Sequence, residues 1–233
     1  MVIHCQKRLK RRSGSDVSGS IVNEVKATAT ITMDEDGMNS DKSASVEQRI
    51  NAIQSVLQAR GMEPVAAIET AYHRAEEDWV PRNGARIIAK AWTDPAYRQR
   101  LLADGKAAAA ELGFDMPPHH RYLVALENTP KLHNVICCTL CSCTAFSIIG
   151  LPPDWYKDLE YRARAVRESR TVLKEMGLDL PASTEIKVWD TTTDTRYMVV
   201  PHQPPETIGW PEDRLVEIIT KESMIGVARL MGS

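Results

Sequence analysis

The spacing of apolar residues changes along this chain, and each change predicts a different kind of element. V-E-Q-R-I-N-A-I-Q-S-V-L sets Val46, Ile50, Ile53 and Leu57 at helical intervals. It predicts a helix that begins at Ala44 and stops near Gly61. Pro64 suits a first helical position and opens a second helix. A third is predicted over 84–92. A fourth is capped by Thr93 or Asp94, carries Pro95 in its first turn and runs to Gly113. From Tyr122 the pattern shortens. R-Y-L-V-A-L-E and H-N-V-I-C-C are brief, β-branched, apolar runs that read as strands. L-P-P-D-W-Y-K then opens a long helix to about Met176, closed by Gly177. E-I-K-V-W-D and R-Y-M-V-V-P read as a hairpin around the Thr/Asp-rich turn at 191–195. A short helix over 212–220 and a last strand over 224–228 complete the chain. The predicted fold class is α+β: an N-terminal helical arm, then a layered α/β domain.

Composition adds boundaries to this picture. Residues 1–43 are rich in Ser, Asp, Thr and Lys without periodicity and are expected to be a disordered tail. The helical arm is assigned to 44–113 and the α+β domain to 114–233. With 233 residues, 43% hydrophobic and 26% charged, there is material for a sizeable core. A formal net charge of -2 gives no global basic field, so no nucleic-acid partner is expected. The basic run Lys7–Arg12 leads into S-G-S-D-V-S-G-S rather than an apolar stretch, so it reads as solvated tail, not an export signal. No apolar run approaches the roughly 20 residues of a membrane-spanning helix, and no membrane partner is expected. Four of the five cysteines fall within Cys137–Cys143, which is not a disulfide framework. Reduced thiols and a cytoplasmic location follow.

That cluster, C-C-T-L-C-S-C, is where the chemistry concentrates. It directly follows the second predicted strand and so belongs to the loop leaving it. Cys138, Cys141 and Cys143 can bring three thiolates to one point. Cys137, adjacent to Cys138 on a strand, should face the other way and serve as a buried structural residue. A tetrahedral zinc site usually takes further Cys or His ligands from elsewhere; no second C-x-x-C exists, and His133 is the nearest addition. The single-residue gap between Cys141 and Cys143 permits a different site, in which the peptide nitrogens of Ser142 and Cys143 also bind. An amide nitrogen binds well only when deprotonated, which calls for a strongly polarising, trivalent ion. Three thiolates and two amide anions exceed such an ion by two charges, so nearby cations or oxidised sulfurs are needed.

The same residues carry a family resemblance. C-T-L-C-S-C after V-I-C, then G-L-P-P-D-W-Y-K and Y-R-A-R-A-V-R-E-S-R, resemble the α subunit of nitrile hydratase. P-R-N-G-A-R-I-I-A-K-A-W-T-D-P, E-N-T-P-K-L-H-N-V-I, T-R-Y-M-V-V-P and S-M-I-G-V-A extend the resemblance over about Ala44–Leu230. It implies a non-corrin cobalt or non-haem iron centre held by Cys138, Cys141 and Cys143 and the amides of Ser142 and Cys143. Thr139, after the first claw cysteine, points to Co(III), with Fe(III) as the alternative. The resemblance further implies that Cys141 becomes a sulfinic acid and Cys143 a sulfenic acid, and that these are the catalytic sulfurs. The attack on the nitrile carbon then comes from the Cys143 sulfenate oxygen or from activated water. A β subunit in a heterodimer or heterotetramer, an activator protein for metal loading and small nitrile substrates are the implied partners. Thiocyanate hydrolase, which shares the claw, and a non-catalytic metal- or thiol-sensing module are the alternatives.

Departures from the family pattern bear on the substrate. Phe146 stands in T-A-F-S-I-I-G where Trp is common, and His119 where Gln is common; both are expected in the substrate pocket. Ala145, Ile148 and Ile149 would add apolar lining. Arg164, Arg167 and Arg170 can share one helical face, and Arg167 and Glu168 are expected to support the site or its interface. Asp190 and Asp194 lie by a turn and read as local backbone partners.

Overall fold

Ser45 shows how closely local chemistry sets this fold: its hydroxyl accepts from the Gln48 amide while the Gln48 side chain accepts from the Ser45 amide, a capping box that starts helix α1 (Val46–Ala59). A computed structural model describes residues 45–141 and 143–230. The predicted tail and the expected backbone ligand at Ser142 lie outside those residues. The chain divides into a first unit ending at Pro64 and a second beginning at Val65.

In the first unit, α1 buries none of its residues, and Val46, Ile50, Ile53 and Val56 are all exposed. The second unit opens with most of α2 (Pro64–His73), which also buries nothing. A π-helical turn, Arg74–Asp78, leads into α3 (Pro81–Thr93), begun by Pro81 where a missing N–H costs nothing. Its buried face is Gly84, Ala85, Ile87, Ile88, Ala89 and Ala91. The single helix expected over 93–113 is two, α4 (Pro95–Ala103) and α5 (Gly105–Glu111). Asp104 breaks it in an extended conformation and caps α5 by accepting from the Ala107 amide. Gly105 sits where a Cβ would strike the Leu123 backbone, so α5 can approach the strands only with glycine there.

Strands β1 (Tyr122–Glu127) and β2 (Leu132–Cys137) appear where the sequence put them. Strands β3 (Glu185–Asp190) and β4 (Thr195–Val200) also form, yet they are not a hairpin. β1 pairs in parallel with β4, Tyr122 opposite Thr195 through Glu127 opposite Val200. β2 pairs in parallel with β3, Leu132 opposite Glu185 through Cys137 opposite Asp190. The polar turn at 191–195 was a true change of direction. It is drawn away from hairpin closure because Thr191 bonds to the loop after β2 and Arg196 donates to the carbonyls of Thr192, Thr193 and Thr195.

Between the strands lie α6 (Phe146–Ile149), α7 (Asp154–Lys157), α8 (Leu159–Arg167) and α9 (Ser169–Glu175). The expected long helix is therefore interrupted twice. Asp158 turns extended and caps α8 through the Glu160 and Tyr161 amides, and Glu168 leaves helical geometry before α9. After α10 (Glu212–Ile218), the expected last strand is a helix, α11 (Lys221–Ile225). A Thr220–Ser223 capping box starts it, and Gly226, left-handed at φ 93°, ends it against the Asn134 backbone. The core joins α3, α4, β1, β2, β4 and α11 through Ile87, Ile88, Leu101, Leu123, Ile136, Met198 and Met224. Helices first, then mixed helix and strand with the cysteine loop leaving β2, is the architecture expected. Among the described residues, no helix is long and apolar enough to cross a membrane.

Candidate metal centre

The strand that delivers the cysteines ends at Cys137, whose side chain is fully buried while Cys138 and Cys141 turn into the loop. Sγ of Cys138 lies 3.4 Å from Sγ of Cys141, which lies 2.9 Å from Sγ of Cys143. All three sulfurs fall within 4.8 Å of one another, the one metal-competent cluster of Cys, His and acidic groups among the described residues. Sulfurs held at about 2.3 Å from one ion stand about 3.3 Å apart at right angles and about 3.8 Å apart at tetrahedral angles. Three sulfurs this close on one loop can converge on a single ion. His133 does not join them: its ring bonds to Asn128 and to the Gly226 carbonyl.

Four side chains from other elements fix this loop. Asp190, at the end of β3, accepts from the backbone amide and the hydroxyl of Thr139, the former at 2.9 Å. Thr191 donates its amide to the Cys137 carbonyl at 3.0 Å and its hydroxyl to the Cys143 carbonyl at 3.3 Å. The Tyr156 hydroxyl from α7 donates to the same Cys143 carbonyl at 3.2 Å. Arg162 from α8 donates to the Cys141 carbonyl at 2.9 Å. None of these four was singled out by sequence as a claw residue. Asp190 was read as a turn aspartate, and Arg162 sits unremarked inside Y-R-A-R.

Electrostatics separate the thiols. Burial pushes Cys137 up to about 12, helped by the charges of Asp190 and Cys138, so it stays a thiol. Burial also opposes ionisation of Cys138, but the Thr191 hydroxyl and the Cys143 and Cys141 amides outweigh it and bring Cys138 down to about 7. Cys143 is raised to about 12 by burial, then by its hydrogen bond with Cys141 and the charge of Cys138, with Arg196 opposing. Cys138 thus ionises well before Cys143 in the metal-free chain.

The residues expected to shape a pocket fall differently. Phe146 is half-buried, with its ring 4.7 Å from Trp79 and 4.7 Å from His120. His119 is exposed and touches His120 edge-on at 4.4 Å. His120 is the inward member of the pair. It is fully buried, both ring nitrogens lack a partner among the described residues, and burial, then Arg196, lowers it to about 4. Ala145, Ile148 and Ile149 belong to the core rather than to any open lining. Arg167 donates to the Ala163 carbonyl, and Glu168 accepts from Arg164; among the described residues neither bonds to the cysteine loop. The supposed basic face is also divided: Arg164 pairs with Glu160, Glu168 and Glu175, while Arg170 donates to carbonyls of Leu180, Pro181 and Thr184.

A parallel-paired mixed domain that presents three clustered sulfurs on the loop after a strand is a thiolate metal-claw protein. The family model for the nitrile hydratase alpha chain matches residues 44–228, and this chain belongs to that family. The cobalt-containing nitrile hydratase subunit alpha of Pseudonocardia thermophila is 43% identical over 183 residues, covering 78% of this chain and 89% of the relative. A solved structure of an iron-type nitrile hydratase from Comamonas testosteroni Ni1, with two adjacent histidines replaced by alanine, is 53% identical with a TM-score of 0.74. It covers 82% of this chain and 92% of that one. Thiocyanate hydrolase subunit gamma of Thiobacillus thioparus is 42% identical over 170 residues, covering 67% of this chain and 70% of the relative.

Proposed function

We propose that this chain is the metal-bearing subunit of a cytoplasmic nitrile hydratase, which adds water to small organic nitriles to give amides. The observation that carries the proposal is the convergence of the Cys138, Cys141 and Cys143 sulfurs, within 4.8 Å of one another, on one loop. Cys138, Cys141 and Cys143, with the backbone nitrogens of Ser142 and Cys143, would hold a trivalent ion. When bound, that ion supplies a Lewis acid that polarises the C≡N bond or a water. With dioxygen or peroxide as the oxidant, Cys141 would be carried as a sulfinic acid and Cys143 as a sulfenic acid, which moves negative charge from sulfur to oxygen. The Cys143 oxygen acts on the substrate, as nucleophile toward the nitrile carbon or as base toward the attacking water. The carbon gains oxygen, the nitrogen gains two hydrogens, and no ammonia leaves. Phe146, backed by Trp79, walls the substrate side, with His119 at its margin. A β subunit completes the enzyme, and an activator protein loads the metal.

The metal has two supported readings. Thr139 and the cobalt-containing relative favour Co(III). The 53% identity to an iron-type structure favours Fe(III). The contacts of Thr139 weaken its use as a cue, because both its amide and its hydroxyl bond to Asp190, bonds a serine would also make. The 42% identity to a thiocyanate hydrolase subunit supports a second function at the same claw. Against it, the segment Thr144–Gly150 carries no charge to receive a thiocyanate anion.

The test is co-production with a β subunit and an activator, followed by elemental analysis, mass spectrometry of the claw peptide and product assays. One cobalt or iron per chain, two added oxygens on Cys141, one on Cys143 and amide from nitriles are expected. Serine at Cys138, Cys141 or Cys143 should abolish metal retention, and Cys137→Ser should spare it. Stoichiometric zinc in an active complex would defeat the trivalent site. Ammonia from thiocyanate faster than amide from any simple nitrile would hand the claw to the second function.

A further inference from the structure

The claw gathers three sulfurs, and the donor set proposed for it is more negative than a trivalent ion. Such a loop has to be held in shape, and part of that hold is built into this chain. Two arginines approach the loop. Arg196 acts on Cys143 through space, but its Nη1 is engaged by the carbonyls of Thr192, Thr193 and Thr195. Arg162 alone among the described cations bonds to the backbone of the loop, its Nη1 donating to the Cys141 carbonyl at 2.9 Å. Its Nε is buried and finds no partner among the described residues. The guanidinium is planar and permanently charged, so fixing one end fixes the direction of the whole group. It comes from α8, anchored by the Asp158 cap at one end and by buried Tyr161, whose hydroxyl donates to the Ile136 carbonyl of β2.

We propose that Arg162 is a positioning residue of the claw, holding the middle cysteine's carbonyl in place. This rests on the claw being a metal site, as proposed above. A charge-assisted hydrogen bond to a loop that must converge on one ion slows opening of that loop, and opening precedes metal loss. The neighbouring Arg167, exposed and bonded only within its own helix, lacks this role despite its equal charge.

The experiment uses the full chain in its complex, with wild type, Arg162→Gln, Arg162→Lys and Arg167→Gln compared. Three quantities are read: metal per chain, the rate of metal loss to a strong chelator, and the sulfur-to-metal charge-transfer band. Binding of Co²⁺ alone to the reduced chain gives a readout free of nitrile chemistry. Arg162→Gln should lose metal about tenfold faster or more and shift the band. Arg162→Lys, which keeps the charge without the planar fork, should fall between, and Arg167→Gln should match wild type. Thermal unfolding of the metal-free forms should be nearly the same for all four, which separates positioning of the claw from general stability. Arg162→Gln with unaltered metal retention and an unaltered band overturns the proposal, even if nitriles are hydrated. If Co²⁺ binding weakens in Arg162→Gln while no form hydrates nitriles, the positioning role stands and the nitrile hydratase assignment falls. A wild-type chain that takes up no metal overturns both.

Discussion

Helices α1 and α3 are nearly equal in length, 14 and 13 residues, and both carry apolar residues at helical spacing. One buries nothing and the other buries six residues. The difference is not in how well each is started: α1 has the complete capping box, while α3 has only Pro81 at its first position. It lies in what covers the stripe. Ile87 and Ile88 of α3 are fully enclosed by this chain, whereas Ile50 and Ile53 of α1 are 49% and 61% exposed. An apolar stripe states which side of a helix is to be covered. It does not state whether the cover belongs to the same chain. A β partner as the cover for α1 is a proposal, and the comparison can be broken by mutation.

The largest effect should come from α3. Ile88→Ala opens a cavity in the core and should cost about 2–5 kcal/mol in chemical denaturation of the isolated chain. A loss below about 1 kcal/mol would mean that α3 is no better packed than α1. A second, pH-dependent effect belongs to the same packed unit. Burial, then the charge of Arg196, brings the His120 imidazole down from its ordinary 6.5 to about 4 in the folded chain. Below pH 6.5 the unfolded chain binds a proton that the folded chain refuses, so stability should be intact above that value. It should fall by roughly 2–3 kcal/mol as the pH drops from 6.5 to 4. Denaturation midpoints across that window should flatten in His120→Phe; an unchanged slope would place the titration elsewhere. The smallest effect should come from α1. Ile53→Ala should leave the isolated chain within about 0.5 kcal/mol of wild type. The same change should weaken association with a β subunit by about tenfold, measured by sedimentation or calorimetry. A destabilised isolated chain with normal association would erase the distinction between the two helices.

The same contrast explains what could be read from the sequence. The helix starts at Pro64 and Pro95 and both early strands are local signals found where the pattern put them, whereas α1 starts two residues after the expected Ala44 and α3 three residues before the expected Gly84. The pairing of β3 and β4 was not local. Two β-branched runs flanking a polar turn look like a hairpin, and nothing within them names β2 and β1 as their true partners. The interruptions at Asp104 and Asp158 were visible only in hindsight as capping residues inside otherwise helical runs. M-I-G-V-A looked like a strand because β-branched residues surround a glycine, and the Thr220–Ser223 box that makes it a helix lies upstream. At the site, the sulfur donors were legible because they are contiguous. Their holders were not: Asp190, Thr191, Tyr156 and Arg162 are ordinary residue types brought in by folding from up to 51 positions away.

That separation gives the parallel pairing of β2 with β3 a consequence in time. A ribosome makes the claw first and its Asp190 latch 51 residues later. At about 5–20 residues per second, the thiols wait roughly 3–10 s before the strand that shapes them has been synthesised. During that interval Cys138, Cys141 and Cys143 are three neighbouring thiols on an unfinished edge, open to whichever soft metal arrives. The Asp190 contacts that shape the loop exist only once β3 has docked. Selectivity for the ion is therefore acquired late, and a chain that meets zinc early must be kept from closing around it.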